Sequence, residues 1–116
     1  MQRITVLGAG SWGTALAVLL QKRGHKVTLW GRVEDGIEDV VSERVNPRFL
    51  PEVTIPNEIQ VTADLDYALS RPEMLVLSVP SQALRTVLQH IKNRVANEVV
   101  IVNTAKGLET KSHLGI

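Results

Sequence analysis

The chain has 116 residues, 44% of them hydrophobic and 22% charged, enough for one core-bearing domain and unlike disordered, collagen-like or coiled-coil sequences. Thirteen Lys and Arg against twelve Asp and Glu leave a formal charge of +1, so no basic nucleic-acid groove and no acidic tail is expected. Cysteine is absent, which rules out disulfides, thiolate nucleophiles and cysteine metal sites, and suits a reducing, cytoplasmic setting.

Ile4-Thr5-Val6-Leu7 is a short β-branched run closed by Gly8, which reads as a buried strand and is too short for a signal-peptide core. Thr14 to Arg23 reads as a helix stopped at Gly24, and Lys26 to Trp30 as a second strand closed by Gly31. Glu34 to Arg44 is charged and weakly amphipathic, and reads as a surface helix with Glu34, Asp35, Glu38 and Asp39 in solvent. From Asn46 to Pro56, Pro47, Pro51 and Pro56 argue against regular structure.

Ile59 to Thr62 reads as a short strand, and Asp64 as an N-cap for a helix over Leu65 to Ser70. Met74 to Val79 is a continuous apolar run halted by Pro80. Ser81 is placed to cap the next helix, where Leu84, Val87, Leu88, Ile91 and Val95 recur at helical spacing. Val99 to Val102 reads as a last buried strand, Thr104 to Glu109 as a turn, and the tail as the start of a helix. Strands alternate with helices and are continuously apolar, as in a parallel sheet covered on both faces. No run of about 18 apolar residues is present, so no membrane span is expected.

Gly8-Ala9-Gly10-Ser11-Trp12-Gly13 fits G-x-G-x-x-G between a predicted strand and a predicted helix, the context that gives this pattern its meaning. Gly8 permits the tight turn, Gly10 lets a pyrophosphate approach the backbone, and Gly13 lets helix and sheet pack closely. The amides of Ser11 and Trp12 would face the phosphates at the positive end of the helix. The fold class is therefore α/β: a Rossmann-type, doubly wound, mainly parallel sheet of order 3-2-1-4-5, with residues 1–116 as one dinucleotide-binding domain.

At the end of the second strand the acid usual for NAD is missing, and Arg32 stands nearby. Arginine pairs with a 2′-phosphate, so the cofactor reading is NAD(P)H with a lean to NADPH; Glu34 and Asp35 remain within reach of a ribose. Arg32 reads otherwise as a surface charge, and Trp12 as a core or lid aromatic. Phe49 either covers the nicotinamide side of the cofactor or plugs its loop onto the sheet. Lys106 follows the last strand at the ligand-binding edge, where it either holds a substrate phosphate and polarises a carbonyl or sits in a turn. Pro80 is read as a strand stop. His25, His90 and His113 show no metal-ligand spacing and are assigned no chemistry.

The residues Val6 to Ala17 and Gly24 to Arg32 resemble the start of bacterial-type NAD(P)-dependent glycerol-3-phosphate dehydrogenases. So do Asn46 to Pro51, Val79 to Leu84 and Ala105 to Glu109, in order along nearly the whole chain. The resemblance implies reduction of dihydroxyacetone phosphate to sn-glycerol 3-phosphate for phospholipid synthesis. It implies that Ser11, Trp12, Arg32 and Phe49 touch the dinucleotide and that Lys106 touches cofactor and substrate. It also implies a helical C-terminal domain holding the proton-transferring lysine. No catalytic residue is therefore expected among these 116, which alone should bind nucleotide without turnover.

Two other readings share the glycine turn: a non-enzymatic dinucleotide-sensing module and an adenosine-containing methyl-donor site, the latter generally wanting an acid after strand two. With no sixth strand expected, Val99 to Val102 would form a bare apolar edge, and a homodimer or aggregate would follow.

Overall fold

Each apolar run feeds two faces at once. In β1 (Arg3–Leu7), Ile4 and Val6 point to one side of the sheet and Leu7 to the other; all three are buried. The same alternation splits Val27 and Leu29 from Trp30 in β2 (Lys26–Trp30). It splits Val76 from Leu75 and Leu77 in β6 (Met74–Leu77). Both faces therefore need cover, and the helices divide between them. α1 (Ser11–Lys22) and α2 (Ile37–Glu43) bury Ala17, Val18, Ile37 and Val40 on the first face. α3 (Leu65–Ala68) and α4 (Ser81–Arg94) bury Ala68, Val87 and Ile91 on the second.

The computed structural model describes residues 1–94, 99–104 and 110–113. The main sheet runs β5-β2-β1-β6-β7-β8, with β5 at Gln60–Thr62, β7 at Val100–Asn103 and β8 at Thr110–His113. The first five strands are parallel and stand in the expected order, a Rossmann-type doubly wound arrangement. The expected absence of a sixth strand is overturned. β8 pairs antiparallel with β7, Val100 opposite His113 and Asn103 opposite Thr110, where the tail was expected to begin a helix. An apolar edge strand with unpaired amides recruits a neighbouring segment, so β7 is covered by β8 and is not the bare edge expected to drive dimerisation.

The proline-rich segment is also more regular than expected. β3 (Val45–Asn46) and β4 (Leu50–Thr54) form a two-stranded antiparallel ribbon. Pro47 sits in the connection and Pro51 in a strand with an open side, where a missing amide costs no ladder bond. Arg44, at φ +56°, turns the chain into this ribbon, and its Nη2 donates to the carbonyls of Pro56 and Ile59, each at 2.6 Å. The helix expected over Glu34 to Arg44 is interrupted at Gly36, with a 3-10 turn at Val33–Asp35 before α2.

Other boundaries move less. α1 begins at Ser11 rather than Thr14, and two backbone hydrogen bonds close it, Gly24 to Gln21 and His25 to Leu20. Asp64 caps α3 through Oδ1 and the Tyr67 amide at 3.2 Å. Thr5, 4% exposed, donates from Oγ1 to the Ala68 carbonyl at 2.9 Å and ties α3 to the sheet. α4 starts at Ser81, so Ser81 is its first residue rather than the one before it; the side chain lies outside the described residues. Among the described residues, no helix is long and apolar enough to cross a membrane.

Candidate functional site

The strand register ends the central strands flush. Leu7 stands beside Trp30 on one side and Leu77 on the other, and Leu77 stands beside Asn103. The first residue beyond each strand still holds its neighbour: Gly8 donates to Trp30, Ser78 to Leu7 and Thr104 to Leu77, at 2.7–2.8 Å. Gly8, Gly31, Ser78 and Thr104 consequently share one edge, the carboxyl edge where open α/β sheets bind ligands. All four line a cavity of about 910 Å³.

The glycine turn forms its floor. Gly8 has φ +116°, and a Cβ there would overlap the Ser78 carbonyl. A Cβ on Gly13 would overlap the Gly8 carbonyl, so the first turn of α1 lies directly on the strand end. Gly10 differs: a Cβ there would meet nothing within 4 Å, because it would project into open space. Gly10 is also the N-cap of α1. It offers no side-chain cap, and no acidic residue lies in the first turn. The partial positive charge of the helix start is thus uncompensated by side chains and lies at the cavity.

Arg32 and Asp35 line the side wall. Arg32 Nε donates to Asp35 Oδ2 at 2.9 Å, with both side chains about two-fifths exposed. The hydrogen bond and charge of Asp35, with Glu34 adding to them, raise the Arg32 pKa above its ordinary value. Asp35 is therefore part of the site and not only a solvated helix charge.

Trp12, 58% exposed, and Phe49, 41% exposed, stand at the mouth. Phe49 is carried by the β3–β4 ribbon. Its amide donates to Asn46 Oδ1 at 3.3 Å, and Asn46 Nδ2 in turn donates to the Ala9 carbonyl and Thr14 Oγ1, at 2.7 and 3.0 Å.

Of the residues read from the sequence, Gly8, Gly10, Trp12, Arg32 and Phe49 meet in this cavity. Ser11 is exposed and Gly13 is buried beneath the turn, and neither is in its wall. Lys106 lies outside the described residues, as does the rest of the turn over 105–109. Pro80, read as a strand stop, also lines the cavity. The wall that sequence reasoning missed is α4: Gln82, Thr86 and His90 follow one another at a spacing of four and face the cavity. That spacing is present in the sequence, one position before the apolar row of Ala83, Val87 and Ile91.

The chain matches the family model described as NAD-dependent glycerol-3-phosphate dehydrogenase N-terminus over residues 3–116. It is 52% identical over 112 residues to a glycerol-3-phosphate dehydrogenase [NAD(P)+] of Carboxydothermus hydrogenoformans, covering 97% of this chain and 33% of that protein. A Syntrophomonas wolfei protein of the same name is 46% identical over the same shares. The crystal structure of glycerol-3-phosphate dehydrogenase from Coxiella burnetii superposes with a TM-score of 0.82 at 35% identity, over 88% of this chain and 31% of that one. The chain thus spans about a third of the length of the curated relatives it matches.

Proposed function

The chain belongs to the NAD-dependent glycerol-3-phosphate dehydrogenase N-terminal family, and from that premise we propose that it is the dinucleotide-holding part of an oxidoreductase. The reaction is the interconversion of dihydroxyacetone phosphate and sn-glycerol 3-phosphate, in the cytoplasm, for glycerophospholipid synthesis. The observation that carries the reading is the uncapped start of α1 opening at Gly10 into the cavity.

The residues present fit an adenine dinucleotide. Backbone amides at the helix start suit a pyrophosphate, and the space beside Gly10 admits it. A reduced nicotinamide supplies hydride when bound. Trp12 and Phe49, both exposed at the mouth, are the apolar groups that would cover a bound dinucleotide and keep water from the reacting centre. Arg32 meets the adenosine end. Its pairing with Asp35 gives the site a cation for a 2′-phosphate and a carboxylate for a ribose hydroxyl, with NADPH preferred. Lys106 holds the substrate phosphate and polarises the carbonyl, so that the substrate is oriented as well as activated. No observation favours the sensing-module or methyl-donor readings.

The test is calorimetric titration with NADH and with NADPH, repeated with glycerol 3-phosphate present. Saturable binding of either nucleotide, altered in heat or affinity by glycerol 3-phosphate, is the expected result. Failure of both nucleotides to bind at millimolar concentration refutes the dinucleotide reading. Indifference to glycerol 3-phosphate refutes the substrate assignment for this part of the enzyme.

A further inference from the structure

We infer that Asn46 is a positioning residue for the dinucleotide: it sets the glycine turn and Phe49 together, by fastening the β3–β4 ribbon to the start of α1. The inference rests on the dinucleotide reading above. Asn46 is 1% exposed, a polar side chain in the core. Buried amides are kept only where their hydrogen bonds are made, and here the partners come from three separate places in the chain.

Its Nδ2 donates to the Ala9 carbonyl inside the glycine turn, at 2.7 Å, and to Thr14 Oγ1 in the first turns of α1, at 3.0 Å. Its Oδ1 accepts from the Phe49 amide at 3.3 Å. Thr14 is itself fully buried, so the anchor is fixed from both sides.

Two consequences follow from peptide geometry. In a trans peptide the carbonyl and the following amide point in opposite directions. Holding the Ala9 carbonyl toward Asn46 therefore turns the Gly10 amide away from Asn46, and Gly10 lines the cavity. Holding the Phe49 amide fixes the backbone from which the ring reaches the mouth. A second tie keeps the ribbon in line: Arg48 Nη1 donates to the Glu34 carbonyl at 3.2 Å, in the loop that carries Arg32 and Asp35. The ribbon thus straps together the two loops that border the cavity, and Asn46 is its inner buckle.

The test is a double-mutant cycle for NADH affinity with Asn46→Ala, Phe49→Ala and the pair. Positioning through a shared arrangement makes the losses non-additive. N46A is expected to weaken NADH about tenfold when Phe49 is present, and by no more than about threefold in the F49A background. Thr14→Val serves as a second variant that removes one of the Asn46 acceptors without emptying the site. It is expected to show the same coupling at smaller size, and it carries the test if N46A does not fold.

A merely structural role lowers the melting temperature and leaves the losses additive in both cycles, which overturns the inference while the dinucleotide reading stands. Failure of the unmodified chain to bind NADH or NADPH removes both.

Discussion

Substituting alanine at each glycine of the turn in succession separates folding from binding, because the three methyl groups meet different surroundings. At Gly10 the backbone has φ −76° and ψ −168°, which any residue adopts, and the methyl meets nothing within 4 Å. Gly→Ala at such a position stabilises by about 0.4–1 kcal/mol through the unfolded chain. Alanine is a poorer N-cap than glycine, by roughly 0.5–1 kcal/mol. The two effects offset, and Gly10→Ala is expected to leave stability within about 1 kcal/mol of the parent.

Binding behaves otherwise. On the proposed dinucleotide reading, the open space beside Gly10 is the approach point of the pyrophosphate, and a methyl group there would hold it off. Losing one hydrogen bond to a charged phosphate costs about 1.5–3 kcal/mol, or roughly 10- to 150-fold in Kd. Gly13→Ala gives the opposite pattern, since its methyl overlaps the Gly8 carbonyl and no side-chain rotation relieves a backbone clash. Overpacking of this kind costs about 1–3 kcal/mol or more, and each kcal/mol lowers Tm by about 4 °C for a domain of this size. Thermal melts paired with NADH and NADPH titrations read both quantities. If G10A binds within threefold of the parent, or melts as low as G13A, the assignment of Gly10 as the approach point is wrong.

Arg32→Ala is expected to weaken NADPH about tenfold more than NADH, whereas Asp35→Ala, which frees the guanidinium, shifts the ratio toward NADPH; Kd ratios decide. Both changes should leave Tm nearly unmoved, because an exposed pair contributes about 0–1 kcal/mol. Asp35 raises the Arg32 pKa, so the cation is present below the ordinary arginine value and lost only above the raised one. NADPH affinity is accordingly expected to show no Arg32-dependent fall through the neutral and mildly alkaline range. Nucleotide binding should quench the fluorescence of Trp12 at the mouth and of Trp30 in the cavity wall, so Trp12→Phe and Trp30→Phe each remove part of the signal and the double variant abolishes it. Thr5→Val leaves the buried Ala68 carbonyl without its 2.9 Å donor and is expected to cost about 1–3 kcal/mol by denaturant titration.

The central strands were legible because burial on both faces leaves a signature that no surface element shares. Ile4 to Leu7, Met74 to Val79 and Val99 to Val102 are almost wholly apolar, broken only by Thr5 and Ser78, and the order of the five parallel strands came with the Rossmann-type reading of the glycine turn. The β3–β4 ribbon was not legible. Proline is penalised in a strand interior for the ladder bond it cannot donate, but Pro51 lies in a ribbon with an open side, where that penalty vanishes. β8 was hidden for a related reason. Thr110 to His113 carries no apolar run, and what recruits it is the free edge of β7, a property of the assembled sheet.

The candidate site divides along the same line. The glycine turn announces itself locally, since steric exclusion between residues a few positions apart dictates Gly8 and Gly13. Asp35 and the Gln82–Thr86–His90 row enter the cavity only because the register sets the ends of β1, β2, β6 and β7 flush and brings the following loops and α4 to one edge. Periodicity separates the buried row of a helix from its other rows. It does not tell which polar row overhangs a crevice, because the crevice exists only once the strands have aligned. On this reasoning α4 has two duties on adjacent rows. Val87 and Ile91 bury against the sheet and fix the helix in place, and that anchoring sets Gln82, Thr86 and His90 along the cavity wall. Ile91→Ala should therefore do more than lower stability by the ~2–5 kcal/mol of a core truncation. By loosening the helix that carries the polar wall, it should also weaken nucleotide binding measured well below its own melting temperature, and undiminished affinity there would refute the coupling.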